Sequence, residues 1–262
     1  MTTINVQNAT LAGALAGGTF TGSITYDEPA QPPDSGSGPD VNGGGQIENF
    51  TPQLYGRFTV GGDNYGPHTA GKPYGLQQTD AVTLRFEIRD GDHAPYDGSG
   101  VDRLLVDGGD LKHPQGSVVT MSYKVMIEAG PENTAGWFVL TEMHNDDAAT
   151  PQGSSPPFAH ELAPGDYWRI IGRCGDAANE TYMELWTDST KMVRGQWYEF
   201  KAVIRNDNNK RGYIRVWRDG EQVVDYSGPV GYGPGIYWNY GLYREARQNE
   251  TCAGHFANMV RS

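Results

Sequence analysis

The sequence has few cysteines, no long apolar run and few basic residues, and each scarcity narrows the class of protein. Cys174 and Cys252 are the only cysteines among 262 residues. Two cysteines alone cannot form a metal site, and the choice between one disulfide and two buried thiols stays open. No stretch approaches the roughly 20 apolar residues of a membrane span. These counts exclude a cysteine-stapled scaffold and a spanning helix.

Basic residues are outnumbered, since 20 Lys and Arg face 32 Asp and Glu for a formal net charge of −12. A chain of this charge gains nothing from approaching nucleic acid or an anionic membrane, so we expect neither as a partner. Residues 1–50 hold five of the acids and no Lys or Arg. The remaining chain carries −7, which leaves room for a local basic cleft.

Helical periodicity is also lacking, and alternation of period two takes its place. In residues 82–90, "VTLRFEIRD", apolar and charged side chains alternate, as in a half-buried strand. Asp219-Gly220 separates two further alternating segments, which predicts a β-hairpin. With 36 Gly and 16 Pro, the pattern predicts an all-β fold, a sandwich or barrel of antiparallel strands with few short helices.

One segment differs in composition from the rest. Nine of the seventeen residues from Pro29 to Gly45 are Pro or Gly, which is typical of a linker. Residues 1–28 are too few for a core of their own, and we expect a short tail that anchors the domain or attaches it to a partner. The main domain is predicted at 46–262.

Polar residues occupy the ends of two predicted strands. In "WFVLTEMHND" (137–146), strict alternation would place Phe138, Leu140, Glu142 and His144 on one face. That face starts apolar and ends in a carboxylate and an imidazole. We therefore expect the strand to leave the core and reach a functional site at Glu142 and His144.

Two other strands carry polar side chains on one face. In "IYWNYGLYRE" the shared face holds Tyr237, Asn239, Gly241 and Tyr243, and the glycine would leave a notch under a ligand. In "YWRIIGR" it holds Arg169 and Arg173, about 7 Å apart along the strand. Paired guanidiniums suit carboxylates, because each can bind two oxygens.

Each of these features also has a plain structural explanation. Tyrosines on a sandwich face commonly pack, arginines on alternating strands commonly face solvent, and His144 beside "NDD" could cap a loop. The paired-acid pattern of a glycoside hydrolase strand is not present. It is the combination of motifs that points to a function.

That combination resembles the heparin lyase I and glucuronan lyase group of polysaccharide lyases. The resemblance rests on "WFVLTEMHND…PPFAHEL", then "GYIRVWRDGEQVVDYSGP", then "YWNYGLYR", in that order over roughly residues 80–245. It implies a concanavalin-like β-jelly roll, two antiparallel sheets with a substrate groove on the concave face. It also implies β-elimination, in which the C6 carboxylate of a uronate is neutralised, C5 loses a proton and O4 gains one.

The resemblance implies roles for individual residues. His144 matches the histidine of the family's "Q-x-H" strand and Tyr243 the tyrosine of "G-x-Y-R", which makes them the catalytic pair, with base and acid unassigned. Four residues are expected to bind substrate: Arg103, Arg169, Arg173 and Tyr237. We expect the same of two residues that differ from the family pattern. Glu142 stands where the group has Gln, and Asn239 where heparin lyases have Lys, which indicates a less sulfated substrate.

The sequence thus predicts a lyase that cleaves a uronate-containing, glucuronan-like or acidic extracellular polysaccharide. It requires no cofactor, and no motif supports a structural calcium ion. Two alternatives stay open: a carbohydrate-binding or phage tail attachment module on the same fold, and a glycoside hydrolase. We expect an extracellular protein. The N-terminus lacks the basic start and apolar run of a secretory signal, so the protein would be exported without a recognisable signal or carried on a phage particle.

Overall fold

The computed structural model describes residues 44–146, 155–176, 179–246 and 249–262, together with the backbone of two strands, Thr2–Thr10 (β1) and Thr19–Tyr26 (β2). The chain divides into two compact units, Met1–Ser37 and Gly38–Ser262. In the first, β1 and β2 pair antiparallel. Most of the predicted linker, residues 29–43, lies outside the described residues, so the division into tail, linker and domain stays a prediction.

The larger unit consists of strands joined by turns and loops. In chain order the strands are Ile47–Glu48 (β3), Phe58–Val60 (β4), Asp63–His68 (β5), Leu76–Gln78 (β6), Thr83–Ile88 (β7), Val101–Asp107 (β8), Val118–Ile127 (β9), Phe138–Asn145 (β10), Phe158–Ala163 (β11), Tyr167–Asp176 (β12), Asn179–Thr187 (β13), Tyr198–Arg205 (β14), Tyr213–Arg218 (β15), Glu221–Ser227 (β16), Ile236–Glu245 (β17) and Cys252–Arg261 (β18).

These strands form two sheets in which neighbouring strands run antiparallel. The nine-stranded sheet has the order β13-β12-β11-β10-β17-β8-β5-β4-β3, and the seven-stranded sheet has the order β16-β15-β14-β9-β18-β7-β6. Strands distant in sequence therefore become neighbours, as β10 and β17 do. This placement brings the two predicted site strands together.

The core lies between the two sheets. Tyr123 of β9 packs on Trp238 of β17 with 5.7 Å between ring centroids, and Phe200 of β14 packs on Trp168 of β12 at 5.5 Å. Both contacts join one sheet to the other, so the predicted all-β sandwich is confirmed. The described residues contain no helix, although the sequence predicted a few short ones, because every longer connection there contains glycine or proline.

Several local predictions can be compared with the backbone. Asp219 (φ 50°) and Gly220 (φ 84°) join β15 to β16 with the positive φ angles of a two-residue hairpin turn, as predicted. Cys174 and Cys252 are buried free thiols, which decides the choice left open by their spacing. No helix within the described residues is long and apolar enough to cross a membrane.

A histidine lies in this core. His160 of β11 is fully buried, with its ring centroid 4.2 Å from that of Phe200 and 5.1 Å from that of Trp168. Its Nδ1 lies 2.8 Å from the hydroxyl of Tyr123, which also lies 3.1 Å from Thr141 Oγ1. Burial lowers the pKa of His160 to about 3, because a charged imidazolium has no solvation there.

We predict that His160 makes the free energy of unfolding fall as the solution is acidified. Its pKa is about 3 in the folded chain and near the ordinary 6.5 in the unfolded chain, so below pH 6.5 the unfolded state binds the proton first. The stability that neutral His160 contributes is complete above pH 6.5 and is lost progressively down to about pH 3. Between about pH 7 and about pH 4.5 the loss is about 2–3 kcal/mol.

Denaturant unfolding of the parent, His160→Phe and His160→Gln at those two pH values measures this loss. Both variants lack the titrating ring, and the glutamine keeps a polar partner for Tyr123. Their free energy of unfolding should depend less on pH than that of the parent by the stated amount. An identical pH dependence in all three proteins would show that His160 is not buried in its neutral form.

Candidate active site

The outer face of the nine-stranded sheet, turned away from the core, carries a cavity of about 560 Å³, which we call the central cavity. It lies over the middle strands β8, β17, β10, β11 and β12. Its lining is rich in charged and aromatic side chains. The lining residues are Arg103, Gly136, Trp137, Val139, Glu142, His144, Ser155, Pro156, Glu161, Arg169, Ile171, Arg173, Tyr182 and Tyr243.

All eight residues predicted from the sequence lie in or beside this cavity. Six line it: Arg103, Glu142, His144, Arg169, Arg173 and Tyr243. The remaining two contact members of that set, since Tyr237 hydrogen bonds with His144 and Asn239 with Glu142. The fold therefore assembles residues that are up to 140 positions apart in the chain.

Strand β10 reaches the cavity through a break in its alternation. Its pairing with both β11 and β17 shifts by one residue between Val139 and Thr141. Leu140 belongs to the core, and the next residue, Thr141, also faces the core, where its hydroxyl contacts Tyr123. Because these two consecutive side chains face the core, the later side chains of β10 alternate in the opposite phase.

The predicted shared face of β10 is therefore wrong. Phe138 and Leu140 point into the core, whereas Glu142 and His144 point to the opposite face and line the central cavity. Glu142 and His144 do leave the core, as expected, but for a different reason. Glu142 and His144 reach the site because the strand changes face at Leu140, and strict alternation would bury both beside Leu140.

Strand β17 keeps its alternation, as predicted. Trp238, Tyr240 and Leu242 face the core, and Tyr243 lines the cavity. The role predicted for Gly241 is wrong, however. A Cβ there would overlap the Leu104 carbonyl oxygen, and the residue has φ 141°, so Gly241 allows close approach to β8 and does not form a notch under a ligand.

His144 has a defined proton arrangement. Its Nδ1 lies 2.9 Å from the backbone oxygen of Asn145 and 3.0 Å from the hydroxyl of Tyr237. A carbonyl oxygen only accepts, so Nδ1 carries the proton and donates it to Asn145. In the neutral ring the lone pair then lies on Nε2, the nitrogen that acts as a base.

Tyr243 lies under a guanidinium. The Cζ atom of Arg103 is 4.1 Å from the Tyr243 ring centroid, and Trp137 packs against the same ring at 4.9 Å. Burial raises the pKa of the Tyr243 phenol, and Arg103 lowers it by a smaller amount, so the net shift is upward. Tyr243 is therefore a protonated phenol at neutral pH, positioned beside a fixed positive charge.

Glu142, which lines the cavity, and Asn239 behind it form a buried pair. The Asn239 amide donates to Glu142 Oε1 at 3.1 Å. Glu142 Oε2 and Asn239 Oδ1 are buried and have no hydrogen-bond partner within the described part of the protein. The Asn239 amide thus holds the Glu142 carboxylate in place at the cavity wall.

The two arginines of β12 differ in their partners. Arg169 is paired with Glu161, its Nη2 2.6 Å from Oε2, and burial raises the pKa of Glu161 although Arg169 opposes the rise. Arg173 donates to the Pro156 oxygen at 2.8 Å and lies 3.7 Å from Glu180. Its Nε is buried without a hydrogen-bond partner among the described residues. Arg173 is thus less completely neutralised than Arg169.

His144 and Tyr243 lie at different points along the strands that form the cavity floor. On the paired strands His144 lies opposite Tyr237, and Tyr243 lies opposite Val139. Val139 lies five residues before His144 on the extended strand, so their backbones are about 16 Å apart along the sheet. The side chains of His144 and Tyr243 enter the same cavity, and a sugar between them would lie over Glu142.

Eight of the fourteen lining residues were not predicted from the sequence, and three of these contact predicted site residues. Trp137 packs on Tyr243, Glu161 holds Arg169, and Tyr182 lies with its ring centroid 5.4 Å from the Arg173 guanidinium. Trp137 and Glu161 stand inside the quoted motifs, so alternation across "FAHEL" identifies Glu161. Tyr182 carries no such signal. Among the described residues no group of three or more His, Cys, Asp or Glu is placed to hold a metal ion.

Comparison with solved structures identifies similar folds. The chain is similar to an endo-β-1,4-glucuronan lyase from the fungus Trichoderma reesei, with TM-score 0.59, 10% identity and coverage of 76% of this chain and 87% of that one. It is also similar to alginate lyases from Corynebacterium sp. (0.52, 13%, 73% and 82%) and Pseudomonas aeruginosa (0.51, 15%, 86% and 99%). At these identities the likeness shows the fold, the predicted jelly roll.

A family-level comparison goes further than the fold. No curated protein matches the chain. The model of the polysaccharide lyase family, however, matches residues 76–258, which is well over half of the sequence and includes all eight predicted site residues. This chain therefore belongs to the polysaccharide lyase family and is a polysaccharide lyase.

Proposed function

We propose that this lyase cleaves a uronic-acid-containing polysaccharide, glucuronan-like or an acidic extracellular polymer, by β-elimination. The proposal rests on one observation: the central cavity contains both a histidine that can accept a proton and a tyrosine that can donate one. His144 offers a lone pair on Nε2, and Tyr243 offers a phenolic proton. A base and an acid in one cavity are what the elimination requires.

The proposed step uses each group once. His144 Nε2 removes the proton from C5 of the uronate, and the electrons of the C5–H bond form a double bond between C4 and C5. The C4–O4 bond breaks, and the Tyr243 hydroxyl gives its proton to the departing O4. The Arg103 guanidinium over the ring stabilises the phenolate that remains, so proton transfer from Tyr243 becomes easier.

Arginines supply the positive charge that the substrate carboxylate needs. Arg103 and Arg173 line the cavity, and each has a buried Nε without a hydrogen-bond partner in the described residues. Binding the C6 carboxylate there acidifies the C5 proton, because negative charge that develops on C5 spreads onto a neutralised carboxylate. Arg169 donates to Glu161, so it forms part of the cavity wall and its charge is already neutralised.

The charge of Glu142 bears on which polymer fits the cavity. Glu142 lines the cavity, and its carboxylate repels sulfate or carboxylate oxygens placed beside it. This supports a polymer of low sulfation, with its carboxylates directed to the arginines. The neighbouring folds of glucuronan and alginate lyases are in keeping with a uronate substrate.

We predict that Tyr243→Phe lowers kcat by about 10²–10⁴-fold, because the departing oxygen loses its proton donor. His144→Ala should lose activity to a similar degree while it retains part of its substrate binding. The rate is measured as near-ultraviolet absorbance of unsaturated uronate ends. Tyr213→Phe is the matched control, because Tyr213 is a buried tyrosine of the other sheet. If both site variants kept near-parental rates with unchanged melting temperature, the assignment of the pair would be refuted.

We predict that Glu142→Gln strengthens the binding of an anionic oligosaccharide several-fold. The substitution removes one negative charge from the cavity, worth about 1 kcal/mol against a nearby carboxylate, and keeps an oxygen for the Asn239 amide. Calorimetric titration of a glucuronate oligomer into Glu142→Gln and its parent, both carrying Tyr243→Phe to prevent turnover, gives the two dissociation constants. Weaker binding by the glutamine variant would mean that the charge itself holds the substrate.

A further inference from the structure

One arginine on the outer face of the nine-stranded sheet lacks an acidic partner. Every other arginine that the structure describes forms an ion pair with an Asp or Glu. Arg57, in the loop before β4, has no hydrogen bond or ion pair within the described residues. Its guanidinium is therefore available to an anion from outside the protein.

The sheet is shaped to receive this side chain. Gly66 of β5 lies opposite Asp107 of β8, and Asp107 lies opposite Asn239 of β17. A Cβ at Gly66 would overlap Arg57 Nη1, so the guanidinium rests on the bare backbone of that glycine. Arg57 therefore lies on the same face as the central cavity, about 10 Å beyond β17 across two strand spacings.

A tyrosine beside it is held by a hydrogen-bonded chain. The Tyr96 hydroxyl lies 2.5 Å from His68 Nδ1, and His68 Nε2 lies 3.0 Å from the Asp107 carboxylate. Burial alone would raise the pKa of Asp107, but the hydrogen bonds from His68 and from the Gly109 amide lower it below its ordinary value. Asp107 is thus a carboxylate that accepts from His68 Nε2, which leaves Nδ1 to accept from Tyr96.

This chain fixes a ring that is half exposed. Tyr96 is 50% exposed, and Tyr55, in the loop that also holds Arg57, is 80% exposed. Tyr55 also has φ 64°, an unfavourable conformation for a bulky side chain. Tyr55 is two residues from Arg57 in the chain, and His68, which binds Tyr96, follows Gly66 by two residues on the same face of β5. Two exposed tyrosines near an unpaired cation form a surface suited to an acidic sugar.

We propose that Arg57, Tyr55 and Tyr96 form a second subsite, which binds the carboxylate and the ring face of an acidic sugar unit beyond those in the central cavity. Arg57 binds the carboxylate, the two tyrosines contact the sugar ring, and His68 with Asp107 positions Tyr96. The inference rests on the proposed function, because it assigns further units of the same polymer to this surface. It makes affinity depend on substrate length.

The test compares a short with a long ligand. Glucuronate trimers and octamers are titrated calorimetrically into the full chain carrying Tyr243→Phe, with and without Arg57→Gln. A trimer fills the central cavity alone, whereas an octamer reaches the second subsite. We expect Arg57→Gln to weaken octamer binding by about 10-fold, the loss of one charge-assisted contact, and to change trimer binding less than twofold.

Two further variants and one control complete the experiment. Tyr96→Ala should also weaken only the octamer, and Tyr96→Phe, which keeps the ring but releases it from His68, should have a smaller effect in the same direction. Lys210→Gln removes an exposed cation without an ion pair in the described residues, on the turn before β15, and should leave both ligands unchanged. An octamer affinity insensitive to Arg57→Gln, or equal losses for both ligands, would overturn the subsite.

The test of the second subsite and the test of the proposed reaction can fail independently. If the parent protein released no unsaturated product from glucuronan but Arg57→Gln still weakened only the octamer, the subsite would stand and the proposed reaction would fall. If the parent released product and the octamer bound no better than the trimer, the reaction would stand and the subsite would fall. If neither oligomer bound, both would fall together.

Discussion

The one-residue shift in the pairing of β10 is the constraint on which the site depends. A β-strand in a sandwich sends alternate side chains into the core, so a strand that begins with Phe138 and Leu140 inside would also bury Glu142 and His144. A carboxylate in that core would cost several kcal/mol. The shift between Val139 and Thr141 turns Glu142 and His144 to the outer face, and a hydroxyl, that of Thr141, enters the core to contact Tyr123.

Charge placement explains how an acidic protein can act on an acidic polymer. Most arginines are neutralised by neighbouring carboxylates, so long-range attraction for a polyanion is absent. The positive charge that matters is local: Arg103 lies over Tyr243 and also pairs with Asp97, and Arg173 at the cavity wall is only loosely paired, 3.7 Å from Glu180. A buried phenol beside one such guanidinium keeps its proton until a departing oxygen requires it, which is the property that a proton donor needs.

The sequence predicted the sandwich because alternation of period two holds in most strands, including β12 and β17. Family motifs and alternation together selected eight residues that the fold gathers at one cavity. The shift in β10 has a signal in the sequence that strict alternation overlooks: Leu140 and Met143 are both apolar but three residues apart, an odd spacing that requires a change of face. The close approach at Gly241 and the Tyr96–His68–Asp107 chain could not be predicted. Both depend on which strands become neighbours, and β5, β8 and β17 are brought together only by the sheet topology.

A pair of polymers distinguishes elimination at a uronate from other ways of cutting the chain. The parent protein is incubated with glucuronan and with the same polymer after chemical reduction of its carboxylates to alcohols. Only the first has a C5 proton acidified by a carboxylate. The account predicts near-ultraviolet absorbance and chain shortening with glucuronan, and neither with the reduced polymer. Shortening of the reduced polymer, with new reducing ends and no absorbance, would contradict it.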